Sequence, residues 1–577
     1  MRDSLARIWG LTRRAVFGPS AGIGLLMAGI ALALIGVELW VDVKMIAWTR
    51  RFYDAVEQME TAAAMRELGV FAVLVTASAA IFLTSDYLRK RLRLRWRQKL
   101  TGQALDRWTG GKAYWHLRPG LSAETVDNPD QRIAEDCERF VALLLLLTLD
   151  LVGRIAGVVT YIAILWTLSD FVLSFSLFGV GIEIPRYMVW LALLYVLVSS
   201  LITHAVGWPL KSLYFRHERR EADFRHSLVQ VRDNATEIAQ SGGEAAERRR
   251  LDARFEGIRS NWLHLIRREL ILGLFTRPYY QTVLRVPLFF ALPAYFAGSV
   301  TFGGLMQLSG TFSRVTTTLS WFIFQYKELA EFAAVSHRLD QLFRVTEDPE
   351  PVAGAVTAIE RTHGGNRALR VSGLTLATPE GRWLAPVPDR VIRPGERIWI
   401  SGASGQGKTT LLAAITGLWR YGEGRIDMPS GRMIVLPQRP HLFSDGLAAA
   451  ACYPSDPADV PPDRLRLVLE RLGLTHRLGA LSAEGPDDGD AALEGLSLGE
   501  RQRLALARVL LHRPDWVILD EATSSLDVAS EAHLLALLRR ELPRAAILCV
   551  AHRDPVGLDP TGTWIIGEAP QDERKTA

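Results

Sequence analysis

The chain has 577 residues, 49 % of them apolar, and a formal net charge of only +5. That length is too great for one hydrophobic core, so two or more domains are expected. The apolar residues are concentrated before about residue 335 and the basic ones cluster beside them, which excludes a wholly water-soluble chain and favours a membrane surface over nucleic acid. The three cysteines, Cys137, Cys452 and Cys549, have neither paired nor metal-ligand spacing and read as free thiols of a reducing compartment.

At the N-terminus Arg2, Arg7, Arg13 and Arg14 precede an apolar run, 22 to 41, that is too long for a cleavable signal. Five further runs follow, at 68–88, about 141–168, about 186–207, about 271–298 and about 301–325. Each has the length of about 20 residues that crosses a bilayer as a helix. The short apolar stretch 171–183, "FVLSFSLFGVGIE", reads as a loop or re-entrant segment before the fourth span. Arginines and lysines before the first span and after the second ("RKRLRLRWRQK", 89–99) put both sides of that hairpin in the cytoplasm. The hydrophilic excursions 89–140 and 208–270 then read as helical extensions of spans two and four.

Ionisable residues inside spans are functional candidates. Asp150 and Arg154 are four apart, a spacing at which they can pair on one helix face. Arg285 lies in span five beside Tyr279, Tyr280 and Gln281. All three are candidates for a substrate path, a structural contact being the alternative reading for the pair. Glu38 and Asp42 read as interfacial residues near the outer end of span one.

After "TEDPEPVAGAVTAIERTHGGN", read as a linker over 346–366, the composition becomes that of a soluble α/β domain. "ERIWISG" reads as a buried strand, "KTTLLAAITGL" as an apolar-faced helix, and "SGASGQGKTT" joins them. In that loop Gly402, Gly405 and Gly407 free the backbone to turn its N–H groups into one concavity at a helix N-terminus, a phosphate site. Lys408 reaches the outer phosphates, and the Thr409 hydroxyl is of the type that ligates magnesium there.

Further motifs follow in order: "MIVLPQRP" with Gln438, "LSLGERQR" from Leu496, "DWVILDEATSSLD" with Asp520, Glu521 and Asp527, and "CVAHRD" with His552. With these the segment 370–565 resembles the ATP-binding-cassette (ABC) ATPases. The resemblance implies an ATP site formed by Gly402, Ala403, Ser404, Gly405, Gln406, Gly407, Lys408, Thr409 and Thr410, with Asp527 nearby. It implies magnesium held by Thr409, Gln438 and Asp520, Glu521 as general base, and His552 at the γ-phosphate. Ser497, Gly499 and Glu500 of the signature would face the nucleotide of a second subunit, which implies a half-transporter working as a homodimer.

Two departures bear on this. The signature has Leu498 and Glu500 where the commonest family form has Gly and Gln. The aromatic that usually stacks on the base is replaced by Ala377 and Thr378, which leaves Trp383 as a substitute and GTP as an alternative to ATP.

"IAWTRRFYDAVEQME", "RLRWRQKLT", "DNPDQRIAEDCERF", "EADFRHSL" and "RDNATEIAQSGGEAAE" resemble the membrane domain of the bacterial SbmA/BacA-like and the peroxisomal fatty acyl-CoA transporters. The last resembles the acidic cytoplasmic motif that lies near the cassette in that family. The implied protein is a polytopic all-α membrane domain (1–345, six spans, exporter-type), a linker, and an α/β P-loop cassette (367–577). It would use ATP to move a peptide, cobalamin or related cargo across the bacterial inner membrane, with no nucleic-acid partner. Import is the expected direction. Export or flipping of lipid or acyl-CoA, and an ATP-gated regulator without transport, stand as alternatives.

Overall fold

The basic N-terminus forms a helix of its own in the computed structural model, α1 (Arg2–Val16). The structure describes residues 2–567 apart from 19–20, 119, 125, 178–179, 283–284, 325, 348–350, 353, 364–366, 443–445, 483–492 and 494. Helices apolar on every face need lipid or other apolar helices around them. Four described helices are long and apolar enough to span: α2 (Ala21–Glu57), α3 (Thr61–Thr109), α4 (Pro129–Leu168) and α5 (Tyr187–Asp233). After span two α3 continues as helix to Thr109, and the described residues between His116 and Pro129 are not helical; after span four α5 continues to Asp233 and is followed by α6 (Ala235–Ser241) and α7 (Glu244–Thr282).

Within span five two helices are described, separated by residues 283–284, which lie outside the described residues. α7 ends at Thr282 and α8 (Val286–Phe296) begins after it, with Pro287 in its first turn where a missing N–H costs nothing. The sixth expected span is α9 (Phe302–Phe324), whose serines, threonines and Arg314 dilute its hydropathy below that of the other four. α9 packs against α2, α4, α5 and α8, around Tyr161, Leu165, Met188, Leu308, Phe312 and Val315. Its N-terminus is capped from α2: Asp54 Oδ1 accepts from Gly303 N and Glu57 Oε2 from Phe302 N, both at 3.0 Å, which satisfies orphan donors at the positive end of the helix dipole. Gly303 is required there, because a β-carbon would lie 2.1 Å from the Arg50 carbonyl.

The stretch 171–183, expected as a loop or re-entrant segment, contains paired strands. Val172–Leu177 (β1) and Val180–Pro185 (β2) form an antiparallel hairpin; the alternation in "VLSFSL" is the period of a strand. The first unit, Met1–Leu105 with Asn128–Phe343, continues into α10 (Tyr326–Glu347). Inside it Arg338 forks onto Asp136 at 2.6 and 2.7 Å, and Arg139 onto Glu331 at 2.5 and 2.7 Å.

The second unit is Asp106–Asp127 with Arg344–Ala577. Its strands are β3 (Thr357–His363), β4 (Leu369–Ala377), β5 (Trp383–Pro386), β6 (Arg390–Ile392), β7 (Arg397–Ser401), β8 (Gly422–Met428), β9 (Met433–Leu436), β10 (Trp516–Asp520), β11 (Ala546–Val550) and β12 (Gly562–Ile565). One sheet is parallel, in the order β12-β7-β11-β10-β9; the other runs β3-β8-β4-β5, with β6 on β4. β3 lies in the segment read as linker and pairs in parallel with β8 along its whole length, so that stretch is part of a sheet. An apolar cluster between the sheets includes Ile398, Ile400, Leu411, Ile518 and Trp564. The segment 106–127 is bound to the same unit: Lys112 Nζ donates to Thr416 O, Trp115 Nε1 to Leu418 O, and Tyr421 OH to Leu121 O.

Candidate nucleotide site

Parallel strands send their carboxyl ends to one edge of a sheet, where α/β proteins place ligands. Here β7, β11, β10 and β9 are neighbours, and each is followed by a motif singled out in the sequence. After β7 the loop 402–407 turns into α11 (Lys408–Ile415). Gly402, Gly405 and Gly407 have φ of 152°, 81° and 90°, and a β-carbon on Gly402 would lie 2.4 Å from Ile566 O. Lys408 is buried and its ammonium donates to the carbonyls of Gly402 (2.8 Å) and Ala403 (3.0 Å). Ser404 and Gln406 lie in the same loop, and Thr410 in the first turn of the helix.

The Thr409 hydroxyl lies 3.4 Å from Asp520 Oδ1 at the tip of β10. Burial raises the Asp520 carboxyl pKa above its ordinary value, with Glu521 adding to the effect and Thr409 opposing it. Glu521 follows in a left-handed conformation, φ 51°. Its carboxylate accepts from Gln438 Nε2 at 2.8 Å on Oε2, and His552 Nε2 lies 2.8 Å from Oε1. Three motifs more than 80 residues apart in part thus converge on one carboxylate. The oxygen donors of Thr409, Asp520 and Gln438 are of the hard type that suits magnesium.

The signature opens α12 (Leu498–His512). Ser497 is its N-cap: Oγ accepts from Glu500 N while Glu500 Oε2 accepts from Ser497 N, a reciprocal capping box. Arg477, then His476 and the Ser497 amide, hold the Glu500 carboxyl far below the carboxylate range. Gly499 follows the cap, Leu498 is exposed, and Asp527 caps α13 (Val528–Glu541) through Ser530 N, which lowers its pKa.

Two residues outside the motif readings tie these pieces together. Gln502, 1 % exposed, donates to Gln438 O (3.2 Å) and accepts from Ser525 N (3.1 Å). Glu531, 5 % exposed, accepts from Thr523 Oγ1 and from Arg553, next to His552. A buried polar residue within an otherwise apolar helix face is the signal that finds both. Trp383 is exposed at the start of β5, opposite Ala377. Leu384 is the residue against the loop, its Cδ1 3.0 Å from where a Gly407 β-carbon would be.

The membrane candidates do not converge as expected. Asp150 ends a π-helical turn, Leu146–Asp150, and its partner is Arg89 of α3 rather than Arg154. Arg154 stands 6.0 Å from the Trp321 ring. Arg285 sits at the break before α8 and donates to its own chain at Gln281 O and Oε1, 3.2 and 3.3 Å; residues 283–284 beside it and the Tyr280 side chain lie outside the described residues. Asp42 is more than interfacial: its Oδ2 accepts from Tyr161 OH at 2.7 Å and Arg314 Nη1 at 2.5 Å.

A phosphate loop, an acidic strand tip and a capped signature helix on a parallel sheet, fused to a bundle of apolar helices, define a membrane-bound ATPase. Residues 13–296 match the ABC transporter transmembrane region 2 family and residues 389–524 the ABC transporter family. The chain is 33 % identical over 532 residues to the inner membrane ABC transporter ATP-binding protein YddA of Escherichia coli K12, covering 92 % of this chain and 91 % of that one. It is 25 % identical to the lysosomal cobalamin transporter ABCD4 of mouse, over 85 % and 83 % of the two chains. Its fold is similar to that of a bacterial Atm1-family ABC exporter with ATP bound, at a TM-score of 0.70 and 16 % identity over 94 % and 93 %. The chain belongs to the ABC transporters, in a branch related to the D family, and is an ATP hydrolase coupled to transport.

Proposed function

We propose that the protein is a homodimeric half-transporter of the bacterial cytoplasmic membrane, akin to the SbmA/BacA-like group, that uses ATP to import a bulky amphipathic or hydrophilic cargo such as a peptide, cobalamin or a related compound. The observation that carries the reading is the Glu521 carboxylate held by Gln438 and His552 beside the phosphate loop. Glu521 takes the proton of the attacking water, and His552 orients that water and the γ-phosphate. The loop amides and Lys408 bind the outer phosphates. Thr409, Asp520 and Gln438 would hold magnesium, which supplies charge neutralisation on those phosphates. Ser497 and Gly499, fixed by the Glu500 capping box, face the nucleotide of the second subunit. The segment 106–127, which continues span two in sequence and is hydrogen-bonded to the cassette at Thr416 and Leu418, transmits closure to the spans.

The test is ATPase activity of the full chain in lipid nanodiscs with cobalamin, cationic peptides and acyl-CoA esters, and with Glu521→Gln as control. Stimulation by cobalamin or peptide, followed by ATP-dependent uptake from the side opposite the cassette, is expected. Stimulation by acyl-CoA alone, with flux toward that side, would establish the exporter reading instead. Hydrolysis with no flux of any cargo would make the protein a regulator.

A further inference from the structure

At the end of the membrane unit where Lys and Arg are concentrated, the end of α1 and the start of α2 lie with the far part of α3 around a cavity of about 350 Å³. Val16 and Gly24 line it on one side, and Arg95, Trp96, Gln98 and Lys99 of α3 on the other. Trp96 is 8 % exposed, and its indole N–H is buried with no hydrogen-bond partner. That nitrogen packs against Gly24 at the edge of the cavity, so that an added β-carbon there would stand only 3.0 Å from it. A buried donor left unmade costs about 1–3 kcal/mol, so the site favours an acceptor.

Its charge also favours an anion. Arg95 and Lys99 are four apart on one helix face. Lys99 Nζ donates to Phe17 O at the turn, and burial, then the nearby Arg95, holds its ammonium below the ordinary lysine range. The surroundings are those of a lipid interface. α1 buries Leu11 and Ala15 and exposes Leu5 and Trp9, and Phe17 and Leu25 are exposed beside the cavity, the pattern of a helix lying in the headgroup plane.

We infer that this cavity binds the phosphate headgroup of an anionic phospholipid of the cytoplasmic leaflet, with Arg95 and Lys99 on the phosphate oxygens and the Trp96 N–H donating to one of them. The acyl chains lie along the exposed Phe17 and Leu25. A free phosphate ion shares the headgroup's chemistry but has no use for the apolar flank.

The test is native mass spectrometry of the full-length protein extracted from vesicles of equal parts phosphatidylcholine and phosphatidylglycerol. The wild type is expected to retain phosphatidylglycerol preferentially, and Arg95→Gln with Lys99→Gln to reduce that retention about tenfold. Gly24→Leu fills the cavity without touching a charge, and Trp96→Phe keeps the ring and removes only the donor; both are expected to lose the preference while hydrolysing ATP as the wild type does. These two keep the test decisive if the double variant fails to fold. Equal retention of the two lipids, or a preference unchanged in Gly24→Leu and Trp96→Phe, overturns the assignment. So does displacement of phosphatidylglycerol by millimolar inorganic phosphate, together with stabilisation by that ion in phosphatidylcholine alone, which would make the site one for soluble phosphate.

Discussion

Glu521 occupies a left-handed backbone conformation, φ 51°, which costs a non-glycine residue about 1–2 kcal/mol and is sustained by its N–H to Val550 O. The strain sets the carboxylate between Gln438 and His552. Glu521→Gln keeps the shape and removes the base, so kcat is expected to fall about 10²–10⁴-fold with nucleotide affinity within a few-fold of wild type; steady-state hydrolysis and equilibrium binding read the two separately. Gln502→Leu acts differently, since it removes the hydrogen bonds that hold Gln438 O and Ser525 N. Melting and hydrolysis are both expected to drop, with stability lower by about 1–3 kcal/mol and the loss in kcat exceeding any rise in KM. Because Leu384 rather than Trp383 lies against Gly407 of the loop and Ala377 has no ring, the missing stacking of about 1–3 kcal/mol gives no reason to prefer adenine. Competition between ATP and GTP should show kcat/KM values within about tenfold of each other. The motif residues were legible because phosphate chemistry fixes their types and spacing. Gln502 and Glu531 were not, since their role lies in which distant backbone groups they reach.

At the scale of elements, the strands and apolar helices followed from periodicity, and the departures have local causes. Asp150 pairs with Arg89 of the neighbouring helix α3 rather than with Arg154 one turn on, and the spacing within one helix cannot show which neighbour competes for the carboxylate. Asp42 finds Tyr161 and Arg314 only after α2, α4 and α9 have packed. Asp42→Asn leaves Arg314 without its carboxylate; the melting temperature should fall, and Asp42→Asn with Arg314→Gln should recover part of it, as expected when the unpaired ion is the larger cost. The short helix Ala113–His116 adds a pH dependence. Burial first, then the nearby Arg420 and Lys112, holds the His116 pKa below its ordinary value. The neutral ring is therefore the form the fold favours. Its contribution to stability is complete above the ordinary histidine pKa of about 6.5 and diminishes as pH falls from there toward the lowered folded value. Lys112, also depressed mainly by burial, stays cationic through that window and adds to the repulsion. Thermal melts from pH 7.5 to 5.5 should show a decline that His116→Gln abolishes; an equal decline in the variant would place the titrating group elsewhere.

For the whole molecule, the proposed head-to-tail pairing makes a prediction that no single-chain site can meet. Each nucleotide would lie between the phosphate loop and Glu521 of one subunit and the Ser497–Gly499 signature of the other. In a two-fold dimer each lesion then affects a different pair of half-sites. Glu521→Gln and Ser497→Arg are each expected to be inactive as homodimers. In a heterodimer of the two, one site carries both lesions, and the other combines an intact Glu521 with an intact signature. Co-expressed with different tags and purified through both, that heterodimer should regain up to about half of the wild-type rate if the sites turn over independently, and less if both must close together. If each site were built within one chain, every site would carry one lesion and the mixture would stay inactive. Recovery therefore measures two things at once: its presence establishes that the signature acts across the dimer, and its fraction of one half reports how far the two sites depend on each other.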